Sequence, residues 1–114
     1  MAVLSEDERI RVVGIATDGQ QAVDVARELL PDVILMDLKM PVLDGLEATR
    51  QIRETDAASG ILVLTGTADE VDPADAIKAG ANAFLRKEQG LEELRRVFFE
   101  VASLTKALGV SGRA

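Results

Sequence analysis

Three polar side chains of different chemistry come at, or just after, the end of a short apolar segment. Asp37 ends the segment VILMD, Thr65 ends ILVLT, and Lys87 comes two residues after AFL. A carboxylate can be the nucleophile in phosphoryl transfer and form an acyl phosphate. A lysine ammonium can balance the charge that arrives with a phosphoryl group, and a threonine hydroxyl can hydrogen-bond a phosphoryl oxygen. Together the three residue types predict a small phosphoryl-transfer site.

Whether these residues meet depends on the elements that carry them. Short apolar segments alternate with helical patterns, which is typical of βαβ units and a parallel sheet. Strands are predicted near residues 11–16, 33–37, 61–65 and 83–85. Ligands of such sheets bind beyond the carboxyl ends of the strands, which is where all three residues fall. Taken one at a time, each residue also has an ordinary interpretation. Asp37 could cap a loop, Thr65 could be a β-branched strand end, and Lys87 could be a surface charge.

Helices are predicted between and after these strands. Asp18 and Gln21 form a candidate capping box for the first helix, and Pro31 stops it. Two other helices are predicted over residues 45–55 and 91–108, and a third between them has Asp72 as its N-cap, Pro73 at its first position and Gly80 as its stop. The apolar stripe of the last helix is interpreted as core, with one edge that could serve a partner. The chain of 114 residues is therefore expected to form one domain over residues 1–108, followed by a flexible tail over 109–114.

The composition argues against several function classes. The chain contains no Cys and no His, so a disulfide, a thiolate nucleophile, an imidazole base and the usual kind of zinc site are excluded. The net charge of −7 argues against nucleic-acid binding, which requires clustered Lys and Arg. No apolar segment approaches the ~20 residues needed to span a bilayer. With no visible signal peptide either, a cytoplasmic protein without membrane contact is expected.

Three stretches of the sequence resemble one protein family. They are DGQQAVDVARELLPDVILMDLKMPVLDGLEATRQIR, ILVLTG and AIKAGANAFLRK. In this order they are similar to the receiver domain of two-component response regulators. Among these, they most resemble the receivers that precede LuxR-type output domains. The resemblance implies an α/β fold of three layers, with a flavodoxin-like doubly wound parallel sheet. It also implies a signalling domain rather than an enzyme.

The resemblance implies roles for the residues at the predicted site. Asp37 would accept a phosphoryl group from a sensor histidine kinase or a phosphotransfer protein. Thr65 and Phe84 would form the conformational switch, and Lys87 would contact the phosphoryl group. A downstream protein, or an output domain outside this chain, would receive the signal, and a homodimer is a further expectation.

The resemblance also implies a Mg²⁺ ion beside Asp37. The backbone carbonyl of Lys39 would be a second ligand, and Pro41 and Gly45 would shape the adjacent loop. The family's first strand ends in an acidic pair that completes this metal site. Typical element lengths put that pair about 40 to 45 residues before the phosphoacceptor, whereas only 36 residues precede Asp37. Mg²⁺ is therefore expected to be weakly bound or absent.

The same count predicts that the first strand and most of the first helix are missing. In this fold the first strand lies beside VILMD, which is apolar on both faces and otherwise reads as a central strand. Its loss would leave that edge unpaired. The short start is interpreted either as an artefact of the gene start or as a genuine degenerate receiver.

Two hypotheses of different class remain open. The first is a receiver domain that is phosphorylated on Asp37. The second is a phosphorylation-independent interaction module that uses the surface around Phe84 and the last helix. A metal-dependent phosphohydrolase is disfavoured because it would need a second Asp at the position of Lys39.

Overall fold

The computed structural model describes residue 10 and residues 14–39, 42–55, 59–66 and 72–107. Within these ranges helices and strands alternate along the chain. They are α1 (Gly19–Leu29), β1 (Val33–Asp37), α2 (Gly45–Thr55), β2 (Gly60–Thr65), α3 (Pro73–Ala79), β3 (Ala83–Arg86), a 3₁₀ helix (Lys87–Gln89) and α4 (Leu91–Ala107). The predicted tail lies outside the described residues. No helix in the described part of the chain is long and apolar enough to cross a membrane.

The three strands form a parallel sheet in the order β1-β2-β3. All six residues of β2 are buried, whereas Met36 is the buried residue of β1. The register pairs Asp37 with Leu64, and Thr65 with Arg86. The sheet therefore brings the carboxyl ends of β1, β2 and β3 to one edge.

Helices cover both faces of the sheet, which gives the three layers that the resemblance implied. One core cluster joins α1, α2 and α3 to one face through Val23, Ile52 and Ala76. On the opposite face, Leu62, Leu64 and Leu85 pack against Leu94, Val97 and Phe98 of α4. The predicted apolar stripe of the last helix thus contributes to the core.

The first predicted strand does not appear in the described residues. Residues 14–16 of the predicted 11–16 strand are irregular, and 11–13 lie outside the described part. Ile15 is 81% exposed, and no neighbouring described strand offers it a hydrogen-bonded partner. A strand requires such a partner, so an apolar pattern alone did not form one here. VILMD is accordingly an edge strand among the described elements rather than a central one.

The helix boundaries follow local hydrogen-bonding groups. The Asp18 carboxylate accepts a hydrogen bond of 2.8 Å from the Gln21 amide, as the predicted N-cap requires. The Gln21 side chain accepts from the Thr17 amide, one residue before the position that a capping box uses. Asp72 caps α3 at the Ala74 amide, Pro73 is its first residue, and Gly80 ends it with φ of +117°. Leu30 is the C-cap of α1 and adopts a left-handed conformation ahead of Pro31.

Arg53 of α2 braces the sheet edge opposite Asp37. Its guanidinium donates to the carbonyls of Gly80 (2.7 Å) and Ser59 (2.6 Å) and to Asn82 Oδ1 (2.7 Å). The same Asn82 oxygen accepts from the amide of Ile61 in β2 at 2.8 Å. Arg53 therefore ties α2 to the starts of β2 and β3.

Candidate functional site

The ion pair between Asp37 and Lys87 is the centre of the candidate site. Lys87 Nζ lies 2.8 Å from Asp37 Oδ2, although the two residues are 50 positions apart in the sequence. The side chain of Asp37 is 45% exposed and that of Lys87 is 52% exposed, so the carboxylate can be reached from solvent. The second carboxylate oxygen accepts a hydrogen bond of 3.2 Å from the Lys39 amide. A reachable carboxylate beside a fixed ammonium is suited to receive an anionic group.

Thr65 adjoins this pair on the central strand. It lies one residue beyond Leu64, the register partner of Asp37, and opposite Arg86, the residue before Lys87. Thr65 is fully buried. Because neighbouring strands lie about 4.8 Å apart, Asp37, Thr65 and Lys87 converge at one edge of the sheet. The structure therefore brings the three predicted residues together.

The loop after β1 returns to Asp37 through Gly45. The Gly45 amide donates to the Leu38 carbonyl at 2.8 Å. A Cβ atom on Gly45 would lie 2.4 Å from the Asp37 carbonyl oxygen and 2.8 Å from Leu38 Cα. Only glycine fits this close approach, which gives the predicted loop-shaping residue a steric reason. Pro41, the other predicted loop residue, lies outside the described residues.

Gly45→Ala is expected to destabilise the fold, because the added methyl group overlaps backbone that must then move. The expected loss in free energy of unfolding is about 1–3 kcal/mol. Urea denaturation of the two proteins measures it. Glu54→Ala, on the exposed side of the same helix, is the control and should cost less than about 0.5 kcal/mol. Equal midpoints for Gly45→Ala and the native chain would contradict the steric account.

Phe84 lies on β3, opposite Val63 of the central strand. It is half-buried and packs against the core cluster of α1, α2 and α3. The Arg86 guanidinium carbon lies 5.7 Å from the centre of its ring, within the range of a cation–π contact. The Phe84 side chain is thus partly buried in the core and partly exposed.

The described residues do not by themselves fit a complete Mg²⁺ site. Among them there is no group of three or more Asp, Glu, His or Cys side chains that could hold a metal ion. Asp37 supplies one carboxylate, and Lys39 would supply a backbone carbonyl, whereas Mg²⁺ prefers octahedral oxygen coordination. One Asp37 oxygen is already paired with Lys87. The described side chains would therefore leave most of an octahedral Mg²⁺ shell to other ligands.

Three features of the site were not predicted from the sequence. The 3₁₀ helix that begins at Lys87 follows β3 directly. Gly19 packs so closely on Leu43 that a Cβ atom would lie 1.8 Å from the Leu43 carbonyl oxygen. Val42 has φ of +70°. Neither the contact of Gly19 nor the conformation of Val42 was indicated by the residues next to them in the sequence.

Comparison with known proteins decides the family. The family model of the response regulator receiver domain matches residues 1–99. The chain belongs to this family. Response regulator GacA of Pseudomonas aeruginosa is 38% identical to this receiver domain over 99 residues, which are 87% of this chain and 46% of GacA. The chain thus spans about half the length of that relative.

Solved receiver structures are similar to this receiver domain over most of its length. A two-component response regulator of the LuxR family from Aurantimonas sp. is 31% identical, with a TM-score of 0.80 over 90% of this chain and 73% of that one. The receiver domain of sensor histidine kinase PA1611 from Pseudomonas aeruginosa is 35% identical, with a TM-score of 0.77 over 90% and 84%. That structure has a magnesium ion coordinated in its active-site cleft. Both the receiver fold and the LuxR-type resemblance are therefore confirmed.

Proposed function

We propose that this receiver domain accepts a phosphoryl group on Asp37 from a sensor histidine kinase or a phosphotransfer protein in the cytoplasm. The observation that carries the proposal is the 2.8 Å ion pair between Lys87 Nζ and Asp37 Oδ2 at the carboxyl edge of the sheet. Phosphorylation on Asp is general to the family. The domain would act as a signalling switch for an output partner rather than as an enzyme.

In the proposed reaction, a carboxylate oxygen of Asp37 attacks the phosphorus of a phosphohistidine. The O–P bond forms as the P–N bond breaks, and the electron pair of that bond remains on the imidazole nitrogen, which is then protonated by water. Lys87 is already within 2.8 Å of the nucleophile, so its ammonium is placed to offset the charge of the arriving group.

Thr65 and Phe84 are the proposed switch. Thr65 ends the fully buried central strand, and Phe84 lies half-buried on the next strand with its ring beside Arg86. We expect the Thr65 hydroxyl to donate a hydrogen bond to a phosphoryl oxygen on Asp37. Movement of Thr65 would then alter the space beside Phe84 and change the ring's rotamer, which carries the signal from the site to the surface.

Incubation with a small acyl phosphate and Mg²⁺, followed by intact-mass measurement, tests the proposal. The native chain should gain one phosphoryl group, and Asp37→Asn should gain none, because the amide is not a nucleophile of this kind. Asp32→Asn is the matched control, since Asp32 is exposed and directly precedes the same strand, and it should be labelled like the native chain. A series of Mg²⁺ concentrations should show weak binding, given the small described ligand set. Labelling of Asp37→Asn equal to native would refute the proposal.

The second candidate is an interaction module that works without phosphorylation. An open groove of 780 Å³ favours it, lined along α4 and the start of β3 by residues that include Ala83, Val97, Phe99 and Val101. Under this alternative, no donor or Mg²⁺ concentration would give a mass gain, while the fold and the groove would remain intact.

A further inference from the structure

Arg86 is the residue of β3 whose charge lies over the Phe84 ring. Its guanidinium carbon is 5.7 Å from the centre of that ring. The two residues are two positions apart on one strand, so their side chains lie on the same face of the sheet. A cation over an aromatic ring is attracted by the negative face of the ring. This attraction opposes any rotation that carries the Phe84 ring away from Arg86.

The strand register places Arg86 beside Thr65 as well. Thr65 pairs with Arg86 across β2 and β3, and Val63 pairs with Phe84. Paired residues of parallel strands point to the same face, so the Arg86 side chain begins next to that of Thr65. Thr65 is fully buried, and Arg86 is only partly exposed. Arg86 therefore borders the space between the two residues of the proposed switch.

The backbone that carries the guanidinium is held on both sides. The Arg86 amide donates a hydrogen bond of 3.0 Å to the side chain of Gln89, at the end of the 3₁₀ helix. On the other side, β3 is paired with the buried central strand. The Phe84 ring is less constrained, since χ1 of a strand residue commonly takes either of two values. The contact thus joins a fixed cation to a ring that can turn.

We propose that Arg86 is a positioning residue that holds Phe84 in its present rotamer. Arg86 would thereby set how often Phe84 adopts the activated rotamer in the absence of a phosphoryl group. This inference rests on the proposed function and deepens it, because it assigns the regulation of the switch to a residue outside the switch pair. A cation–π contact at a partly exposed site corresponds to about a two- to fivefold change in the ratio of the two rotamers.

Nuclear magnetic resonance tests the inference directly. Three-bond couplings of Cγ to the backbone N and carbonyl C measure the χ1 populations of Phe84 in isotope-labelled protein. They are recorded before and after treatment with a small acyl phosphate and Mg²⁺. Before treatment, Arg86→Gln should favour the rotamer of the phosphorylated native chain about two- to fivefold more than the native chain does. Arg86→Lys should lie between the two, because its ammonium retains part of the attraction.

Two controls separate this effect from a general loosening of the fold. Arg50→Gln removes an exposed guanidinium from α2 and should leave the Phe84 populations at their native values. Phe98 packs on the opposite face of the sheet, so its populations should be the same in every variant. A change at Phe98 that matched the change at Phe84 would overturn the inference.

The remaining outcomes are distinguishable from one another. Native populations of Phe84 in Arg86→Gln would show that Arg86 does not hold the ring. Equal changes in Arg86→Gln and Arg86→Lys would show that the charge is not what holds it. If the native chain were phosphorylated without any change at Phe84, the inference would fail while Asp37 remained the phosphoacceptor. No labelling of the native chain would overturn the proposed function itself.

Discussion

Lys87→Met is expected to slow phosphorylation of Asp37 by a small acyl phosphate about 100-fold, which is the usual effect of removing one preorganised electrostatic partner. Methionine keeps the approximate length of the side chain but removes the ammonium that lies 2.8 Å from Asp37 Oδ2. Negative charge then accumulates around Asp37 without a fixed cation to offset it. The rate is measured by quenching aliquots at increasing times and following intact mass.

A stability measurement distinguishes this electrostatic role from a structural one. The Asp37–Lys87 pair is about half exposed, so water screens it and it should contribute less than about 1 kcal/mol to folding. Lys87→Met should therefore unfold at nearly the native urea concentration while it is phosphorylated far more slowly. Lys78→Met, on the exposed side of α3, is the control and should be labelled at the native rate. A large loss of stability in Lys87→Met with an unchanged labelling rate would contradict the proposed role.

Arg53→Met should cause a larger loss of stability than any other substitution proposed for this receiver domain. The native guanidinium donates to the carbonyls of Gly80 and Ser59 and to Asn82 Oδ1, all within 2.7 Å. A hydrogen bond to a charged group contributes about 1.5–3 kcal/mol, and a carbonyl left unsatisfied adds a penalty. Because Arg53 is only partly buried, we expect a net loss of about 3 kcal/mol in free energy of unfolding.

Arg50→Met is the matched control for that experiment. Arg50 is on the same helix and is 56% exposed, and it pairs with Glu47 one turn earlier. Exposed pairs of this kind contribute about 0.3–0.5 kcal/mol. Denaturation midpoints of the two variants and the native chain measure the difference. Equal losses for Arg50→Met and Arg53→Met would show that the brace between α2 and the sheet is not important for folding.

The positions of the three polar residues were predictable because a parallel sheet converts sequence order into geometry. Each of Asp37, Thr65 and Lys87 ends or follows a short apolar segment, and parallel strands end at a common edge. The register then places Thr65 one residue beyond the partner of Asp37. The caps of α1 and α3 were predictable for a similar reason, since they depend on residues two or three positions apart.

Features that depend on distant parts of the chain were not predictable. The contact of Arg53 with Gly80 joins residues 27 positions apart, and no local pattern marks it. Strand formation also depends on a partner strand, so the apolar pattern was insufficient at residues 14–16, the described part of the predicted strand. Val42 is left-handed although a β-branched side chain disfavours that conformation, and its neighbour Leu43 packs on Gly19, which is distant in the sequence.

Locating the phosphoryl group tests directly whether Asp37 is the phosphoacceptor. After treatment with a small acyl phosphate and Mg²⁺, borohydride reduces an aspartyl phosphate to the corresponding alcohol, which peptide mass spectrometry assigns to a residue. We expect reduction at Asp37 in the native chain, and none in Asp37→Asn. Reduction at a different carboxylate, or at none under conditions that label another receiver domain, would contradict the assignment of Asp37 as the phosphoacceptor.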